Sequence, residues 1–284
     1  GVHPCASVVS TWLPMARDLH DKVILITGAS SGIGAATALA CAKQGMHVSL
    51  VARRADKLEE VAREVSALGR KAQFFTANVK REQDMKAAVD ACWQTFGRLD
   101  VVFANAGYGL FEEVLSTRDD QARSMFDTNY FGTVYTVQQA LPKLNETISG
   151  LRQVVICSSA ASEIGVPMLG VYSATKAAQD SIAGAMRAEL HGQNIAVTSV
   201  HPIGTKTSFV EVAGGTDVDN TPAMFQQSAG RVARCVVRSL KRPRPEVWPS
   251  RSTRWALAAG TLCPRFAAWT MRRHYRKLKR GAAG

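Results

Sequence analysis

The chain lacks the cysteine patterns that mark disulfide frameworks, zinc sites and thioredoxin-type redox centres. Its six cysteines are scattered singly along 284 residues, and no two of them form a CxxC pair. We therefore expect small, buried or idle thiols in a reducing compartment, and no metal site.

Long apolar runs are also missing, since no uninterrupted run reaches about 18 residues, and a membrane-spanning helix is therefore not predicted. Residues 1–14 carry no charged side chain unless His3 is protonated, and they lack the basic start and long apolar middle of a signal peptide. We interpret residues 1–14 as a cloning remnant or a processed extension ahead of Met15, and residues 1–19 as an N-terminal extension. These absences predict a cytoplasmic protein.

Acidic residues are absent beyond Glu246, although nine bases follow it. Subtracting those nine from the chain's 35 bases leaves 26 against 23 acids, so the body carries only +3 of the total charge of +12. A nearly neutral body argues against a nucleic-acid-binding protein.

From Lys22 onward, short apolar runs alternate with longer amphipathic stretches, as in Val23–Ile26, Val48–Val51 and Val101–Ala104. Such alternation predicts right-handed βαβ units, a parallel sheet and helices on both of its faces. We therefore predict an α/β fold, a Rossmann-type doubly wound parallel sheet in three α/β/α layers. The catalytic domain is placed at residues 20–245, because Arg242–Pro245 breaks regular structure, and the basic tail at 246–284.

A glycine-rich turn follows the first apolar run and opens an alanine-rich helix. Glycines allow close approach of backbone to a pyrophosphate, and the helix N-terminus attracts that anion. This context predicts a dinucleotide site. The residues assigned to it are Gly28, Ser30, Ser31, Gly32, Ile33 and Gly34.

Arg53 and Arg54 end the second strand, where an acid would bind the ribose 2′-hydroxyl of NAD. Arginine instead accommodates a 2′-phosphate, so NADP(H) is the predicted cofactor. The alternative is that both arginines only begin a solvated helix.

Tyr172 and Lys176 are four residues apart at the start of a predicted helix, so the phenol and the ammonium reach the same space. A nearby ammonium lowers a tyrosine pKa, which suits Tyr172 to proton transfer with an alcohol or a carbonyl. Ser159 lies 13 positions earlier at the end of the fifth strand. Its neighbour Ser158 has the same chemistry, but only one of the two should face the substrate.

These features together resemble the short-chain dehydrogenase/reductase family over roughly residues 20–240. The family's TGxxxGIG motif stands complete at Thr27–Gly34, and its NAG turn stands at Asn105, Ala106 and Gly107. The adenine-binding pair is matched by Asn78 and Val79, with Asn in place of the family's Asp. The segment beside the nicotinamide is matched by Pro202, Ile203, Gly204, Thr205 and Thr207.

The resemblance implies a catalytic tetrad of Asn129, Ser159, Tyr172 and Lys176. In this assignment Tyr172 is the general acid/base and Ser159 stabilises charge on the substrate oxygen. Lys176 binds the nicotinamide ribose, and Asn129 holds a water linked to the lysine. Tyr172 and Lys176 thereby also belong to the cofactor site. His191, His201 and Glu163 are interpreted as structural or solvated groups.

The predicted function is NADP(H)-dependent hydride transfer between the nicotinamide and a carbonyl or secondary alcohol, with a lipophilic small molecule as substrate. The apolar residues of a lid at about 205–230 favour that substrate class, although they could equally complete the core. They are Phe209, Val210, Val212, Met224 and Phe225. A low-turnover NADP(H)-binding sensor or scaffold is the alternative, and a lyase or epimerase is a third possibility.

Two further expectations concern partners. The helix from Ser173 to His191 carries alanines that permit close contact with a second copy, which favours a homodimer or homotetramer: Ala174, Ala177, Ala178, Ala183 and Ala185. In the tail, four apolar side chains fall within roughly 60° of arc at about 100° per residue: Trp255, Leu262, Phe266 and Trp269. Docking of that face onto the body or a second subunit is slightly favoured over peripheral membrane contact, and Pro264 should kink or divide the helix.

Overall fold

The computed structural model describes residues 16–148, 150–206 and 226–281. Strands and helices alternate along the chain as the apolar runs predict. The strands are β1 Val23–Thr27, β2 His47–Ala52, β3 Ala72–Thr76, β4 Val101–Ala104, β5 Gln153–Cys157, β6 Ala196–Val200, β7 Thr205–Lys206, β8 Gln227–Ser228 and β9 Glu246–Val247. The helices are α1 Gly32–Ala42, α2 Ala55–Ala67, α3 Glu82–Phe96, α4 Asp119–Phe126, α5 Gly132–Glu146, α6 Gly170–Glu189, α7 Ala229–Lys241, α8 Arg251–Leu262 and α9 Pro264–Gly281.

Seven strands form one parallel sheet in the order β3-β2-β1-β4-β5-β6-β9, and β7 pairs with β8 in a separate parallel ribbon. The order reverses between β1 and β4, which opens a crevice at the carboxyl ends of these strands. The predicted doubly wound α/β class is confirmed.

The sheet forms where the sequence gathers β-branched and other apolar residues into short runs. Every residue of β1, β4 and β5 is buried, as expected for strands covered on both faces. Two apolar clusters pack on opposite faces of the sheet, one around α1 and α7 and the other around α3 and α5. Helix α2 shows the matching pattern, because only Leu58, Val61 and Val65 on one face are buried.

The sheet extends past the predicted end of the body at residue 245. Helix α7 ends at Lys241, as the prolines predict, but Glu246–Val247 then pairs with β6 as the seventh strand. Val247 is buried, and the ring of Trp248 stacks on His201 at a centroid distance of 4.2 Å. The boundary at 245 is therefore too early, because a two-residue edge strand leaves no periodic signal in the sequence.

The tail is divided at Pro264, as predicted, with Cys263 between α8 and α9. The predicted docking of its apolar face onto the chain's own body is wrong. Trp255, Leu262, Phe266 and Trp269 are 73%, 83%, 62% and 52% exposed. The tail meets the body through other residues, because Tyr275 donates a hydrogen bond to Glu113 Oε1 at 2.7 Å and Lys279 pairs with the same carboxylate.

Among the helices that the structure describes, none has both the length and the apolar character needed to cross a membrane.

Candidate active site

The glycine-rich turn joins β1 to α1 at the crevice. Gly28 and Gly32 take φ values of +65° and +57°, which favour glycine over other residues. A Cβ on Gly28 would lie 2.9 Å from the Cα of Ala106, and one on Gly34 would overlap the Gly28 carbonyl. The turn therefore packs backbone against backbone where a side chain would clash, and the first turn of α1 carries no acid that would repel an anion.

Asn105 and Ala106 fix the turn from the neighbouring strand. Their backbone amides donate to Thr27 Oγ1 at 3.0 and 3.2 Å, and the Asn105 side chain donates to the Thr27 carbonyl at 3.0 Å. Gly107 follows them, and a Cβ there would lie 3.1 Å from Asn129 Oδ1 and 3.3 Å from Lys176 Nζ. The predicted NAG turn thus lies between the glycine-rich turn and the catalytic candidates.

The two arginines after β2 differ in their contacts. Arg54 donates to the hydroxyl oxygens of Ser30 and Ser31 at 3.0 and 2.8 Å, so its guanidinium lies against the glycine-rich turn. Arg53 is exposed to solvent beside it. Arg54 therefore places positive charge against the turn, whereas Arg53 has no described contact with it.

Tyr172 and Ser159 come together although they are 13 residues apart. Ser159 follows β5 and caps a short 3₁₀ turn by accepting from the Ala161 amide at 3.1 Å. Its hydroxyl also shares a hydrogen bond with the Tyr172 phenol. Ser158 instead donates to the Lys176 carbonyl at 3.3 Å and is buried. The structure thus places Ser159 rather than Ser158 beside the tyrosine.

Lys176 lies one helical turn after Tyr172 and is 3% exposed. Its ammonium donates to the Cys157 carbonyl at 2.8 Å and lies 5.6 Å from the centroid of the Tyr172 ring. Burial lowers the pKa of Lys176, because water that would stabilise the ammonium is excluded.

The predicted lowering of the Tyr172 pKa is not what the structure gives. Burial is the largest effect and raises the pKa of the Tyr172 phenol well above its usual value, while the hydrogen bond with Ser159 opposes it only in part. The sequence places an ammonium four residues away, but it does not reveal that the phenolate would be formed in a poorly solvated site.

Asn129 lies in a π-helical segment, Asp127–Phe131, between α4 and α5. Its side chain is fully buried and bridges two parts of the site. The amide donates to the Tyr108 carbonyl at 2.8 Å and to Thr175 Oγ1 at 2.9 Å, and its oxygen accepts from the Tyr108 amide at 3.0 Å. Asn129 therefore joins the loop after β4 to the residue that precedes Lys176, and π-helical segments are frequent at functional sites.

The remaining cofactor candidates lie at the carboxyl ends of β3 and β6. Asn78 accepts from the Lys80 amide at 3.2 Å, and Val79 beside it is buried. The segment Pro202–Thr205 follows β6, and the Pro202 carbonyl accepts from the Ala160 amide at 2.9 Å. Thr207 and the five apolar lid residues, Phe209, Val210, Val212, Met224 and Phe225, lie outside the described residues.

One cluster of titratable side chains beside the site cannot be recognised from the sequence. The ligand atoms of Glu163, Asp180 and His201 lie within 4.8 Å of one another. His201 is 2% exposed, and its Nδ1 lies 3.6 Å from Asp180 Oδ2 and 3.4 Å from the Ser159 carbonyl. The His201 ring also stacks on the ring of Trp248. The three residues are too widely spaced for any sequence motif to link them.

The chain is similar to known proteins in both sequence and fold. Residues 22–216 match the family model described as short chain dehydrogenase. The chain is 34% identical over 283 residues to "11-beta-hydroxysteroid dehydrogenase A" of Arachis hypogaea, covering 94% of this chain and 79% of that protein. It is 33% identical over 231 residues to "Glycine betaine reductase ATRR" of Emericella nidulans, covering 79% of this chain but only 18% of that protein. An alcohol dehydrogenase structure from Thermococcus sibiricus, complexed with 5-hydroxy-NADP, is 28% identical with a TM-score of 0.72, covering 81% of this chain and 96% of that one.

Proposed function

Because this chain belongs to the short-chain dehydrogenase/reductase family of oxidoreductases, we propose that it transfers hydride between NADP(H) and the carbonyl or secondary alcohol carbon of a lipophilic small molecule. The observation that carries the proposal is the meeting of Tyr172, Ser159 and Lys176 beside a glycine-rich turn that Arg54 borders. The alternative of a low-turnover nucleotide sensor finds no support among relatives named as dehydrogenases and reductases.

The described residues fit a nicotinamide dinucleotide. Close packing at Gly28, Gly34 and Gly107, where a Cβ would meet neighbouring protein atoms, keeps side chains out of the turns at the strand ends, and the N-terminus of α1 follows directly. Gly28, Ser30–Gly34 and Asn105–Gly107 would hold the pyrophosphate and its riboses, and Asn78–Val79 the adenine. Pro202–Thr205, together with Thr207, would contact the nicotinamide end. A bound nicotinamide supplies or accepts the hydride.

The chain's own groups move the proton. In the reduction, the Tyr172 phenol gives its proton to the carbonyl oxygen while the Ser159 hydroxyl donates a hydrogen bond to the same oxygen. In the oxidation, the phenolate takes the proton back from the alcohol. Lys176 holds the nicotinamide ribose and places positive charge near the phenolate. Asn129 keeps α6 and the loop after β4 in register, and would hold the water linked to Lys176.

The lipophilic substrate is supported by several relatives that are named as 11-beta-hydroxysteroid dehydrogenases. The deciding experiment follows oxidation of NADPH by the purified chain with a panel of cyclic and aromatic ketones, and reduction of NADP with the matching alcohols. Turnover that depends on Tyr172 supports the proposal. Tight cofactor binding without turnover of any of these compounds overturns it.

Arg54→Ala is expected to weaken NADPH binding by about tenfold, which corresponds to about 1.4 kcal/mol, and to leave NADH binding nearly unchanged. The reason is that Arg54 lies on Ser30 and Ser31, where the ribose 2′-phosphate of NADP would be held by charge-assisted hydrogen bonds. Arg53→Ala should have a similar effect. Quenching of tryptophan fluorescence during titration measures the affinity of each variant for NADPH and for NADH.

The matched control is Arg63→Ala, which removes an exposed arginine from α2 away from the turn. Equal or stronger binding of NADH by the unaltered chain would contradict the NADP(H) assignment. An equal loss in the Arg63 variant would show that overall charge, not the local site, sets the affinity.

We also propose that two copies pair through α6. Ala174, Ala177 and Ala185 are exposed along this helix, whereas Ala183 is buried in the chain's own core and does not belong to the contact. Ala185→Glu should reduce the mass measured by light scattering from an oligomer to a single chain, because it places charge in a close helix contact. Ala67→Glu on α2 is the control, and a single-chain mass without any substitution refutes the pairing.

A further inference from the structure

Helix α9 presents two different faces. Its inward face is half-buried and includes Ala267, Met271, His274 and Leu278. On the opposite side, Phe266 and Trp269 are 62% and 52% exposed, and their rings stack at a centroid distance of 5.8 Å. Exposing large aromatic rings on a globular body is unfavourable unless something covers them.

Bases share the exposed side with these rings. At about 100° per residue, seven exposed side chains fall within an arc of about 140° turned away from the body. We call this set the α9 outer face: Arg265, Phe266, Trp269, Arg272, Arg273, Arg276 and Lys277. The Arg273 guanidinium lies 5.6 Å from the Trp269 ring centroid.

The two bases of the tail that pair with carboxylates stand outside this face. Arg254 pairs with Glu246 at 3.6 Å, and Lys279 pairs with Glu113. Among the described residues, none of the five bases of the outer face has a carboxylate partner. The face therefore combines unneutralised positive charge with exposed aromatic surface.

We propose that the α9 outer face binds the anionic surface of a phospholipid bilayer. Arginine and lysine attract lipid phosphates, and tryptophan and phenylalanine settle at the level of the headgroups. A second copy of the chain is a poorer occupant, because an isologous contact would oppose five bases with five bases. The body offers no strong complementary charge either, since its net charge is +3 over residues 1–246.

The contact of Tyr275 and Lys279 with Glu113 places helix α9 beside the active site. Glu113 lies in the loop after β4, where the Glu112 amide donates to the Met168 carbonyl at 2.8 Å, four residues before Tyr172. A bilayer bound to α9 would lie next to the loops that border Tyr172. Resting on the proposed function, this position suits a substrate dissolved in the membrane.

The experiment measures binding of the full chain to phosphatidylcholine vesicles with and without phosphatidylserine, by sedimentation and by the shift of tryptophan emission. We expect binding that requires phosphatidylserine. A triple variant, Arg272→Gln with Arg273→Gln and Arg276→Gln, should bind about a hundredfold more weakly, since each base near an anionic surface contributes about fivefold. Phe266→Gln with Trp269→Gln should lose about tenfold.

Two matched controls separate the outer face from general effects. Arg63→Gln, Arg234→Gln and Arg238→Gln together remove three exposed bases from α2 and α7, and Ile148→Gln removes a fully exposed apolar side chain elsewhere. The proposal is overturned if the control triple loses as much binding as the α9 triple, or if vesicle composition has no effect. The proposal is also overturned if the Phe266→Gln, Trp269→Gln variant binds vesicles as well as the unaltered chain does. In that case a loss of affinity for a single-stranded RNA oligonucleotide would indicate an RNA site, and a loss of oligomer mass would indicate a contact between copies.

A failure of the membrane proposal can be distinguished from a failure of the proposed reaction. Cofactor titration and thermal melting of each α9 variant should match the unaltered chain, because the substituted side chains are exposed and touch neither the glycine-rich turn nor Tyr172. Loss of turnover with retained vesicle binding would count against the proposed reaction alone. Loss of vesicle binding with retained turnover in detergent would locate the effect in α9.

Discussion

Tyr172→Phe is expected to lower kcat for carbonyl reduction by roughly a thousandfold, because it removes the proton donor while keeping the ring in place. Positioned acid/base groups typically contribute factors of about 10² to 10⁴. Cofactor affinity should change by less than about threefold, since the phenyl ring still fills the site. Steady-state rates and fluorescence titration measure the two quantities.

Tyr135→Phe is the matched control, because Tyr135 lies on α5 with its ring against Phe131. A Tyr172 variant that retains more than about a tenth of the activity would assign proton transfer to another group.

The pH dependence of the rate gives a second measurement of the role of Tyr172. Because burial raises the pKa of Tyr172, the phenol keeps its proton at neutral pH, so reduction should be insensitive to pH there and alcohol oxidation should accelerate as pH rises.

Gly34→Ala is expected to abolish measurable cofactor binding, a loss of about a hundredfold or more, and to destabilise the fold by about 1–3 kcal/mol. A methyl group there would overlap the Gly28 carbonyl oxygen and lie 2.8 Å from Asn105 Nδ2. Neither neighbour moves freely, since Asn105 bonds to the Thr27 carbonyl and Gly28 belongs to the turn itself. Thermal melting and titration with NADPH give the two effects.

Gly230→Ala is the corresponding control. Its Cβ would meet only the end of the flexible Arg234 side chain at 3.6 Å, and α7 gains helix propensity from alanine. The control should bind cofactor normally and melt at the same or a slightly higher temperature. Normal cofactor binding by the Gly34 variant would show that the turn adjusts and that its tight packing is not required.

The order of strands and helices could be predicted because each strand from β1 to β6 is a short segment rich in apolar residues with a loop after it. Most of the candidate site lies at the ends of those strands, where the resemblance to the family implied Ser159 rather than Ser158 and assigned Asn105–Gly107 to the cofactor site. These features are local, or follow from strand order.

The rest depends on packing that a linear pattern does not contain. Glu246–Val247 is too short to show a period, yet it pairs with β6 and positions Trp248 on His201. The raised pKa of Tyr172 follows from burial by distant segments, and the outward turn of Trp269 follows from which face of α9 meets Glu113. Helical spacing defines a face but does not tell which side of it meets the body.

The contact of Tyr275 and Lys279 with Glu113 links the tail thermodynamically to the loop after β4. Such linkage is reciprocal. If a ligand between that loop and α6 changes how firmly α9 is held, then a surface that holds α9 changes the affinity for that ligand by the same factor. In that case attachment of the tail and occupancy of the crevice are coupled equilibria, and Glu113 contributes to their coupling through its contacts with Tyr275 and Lys279.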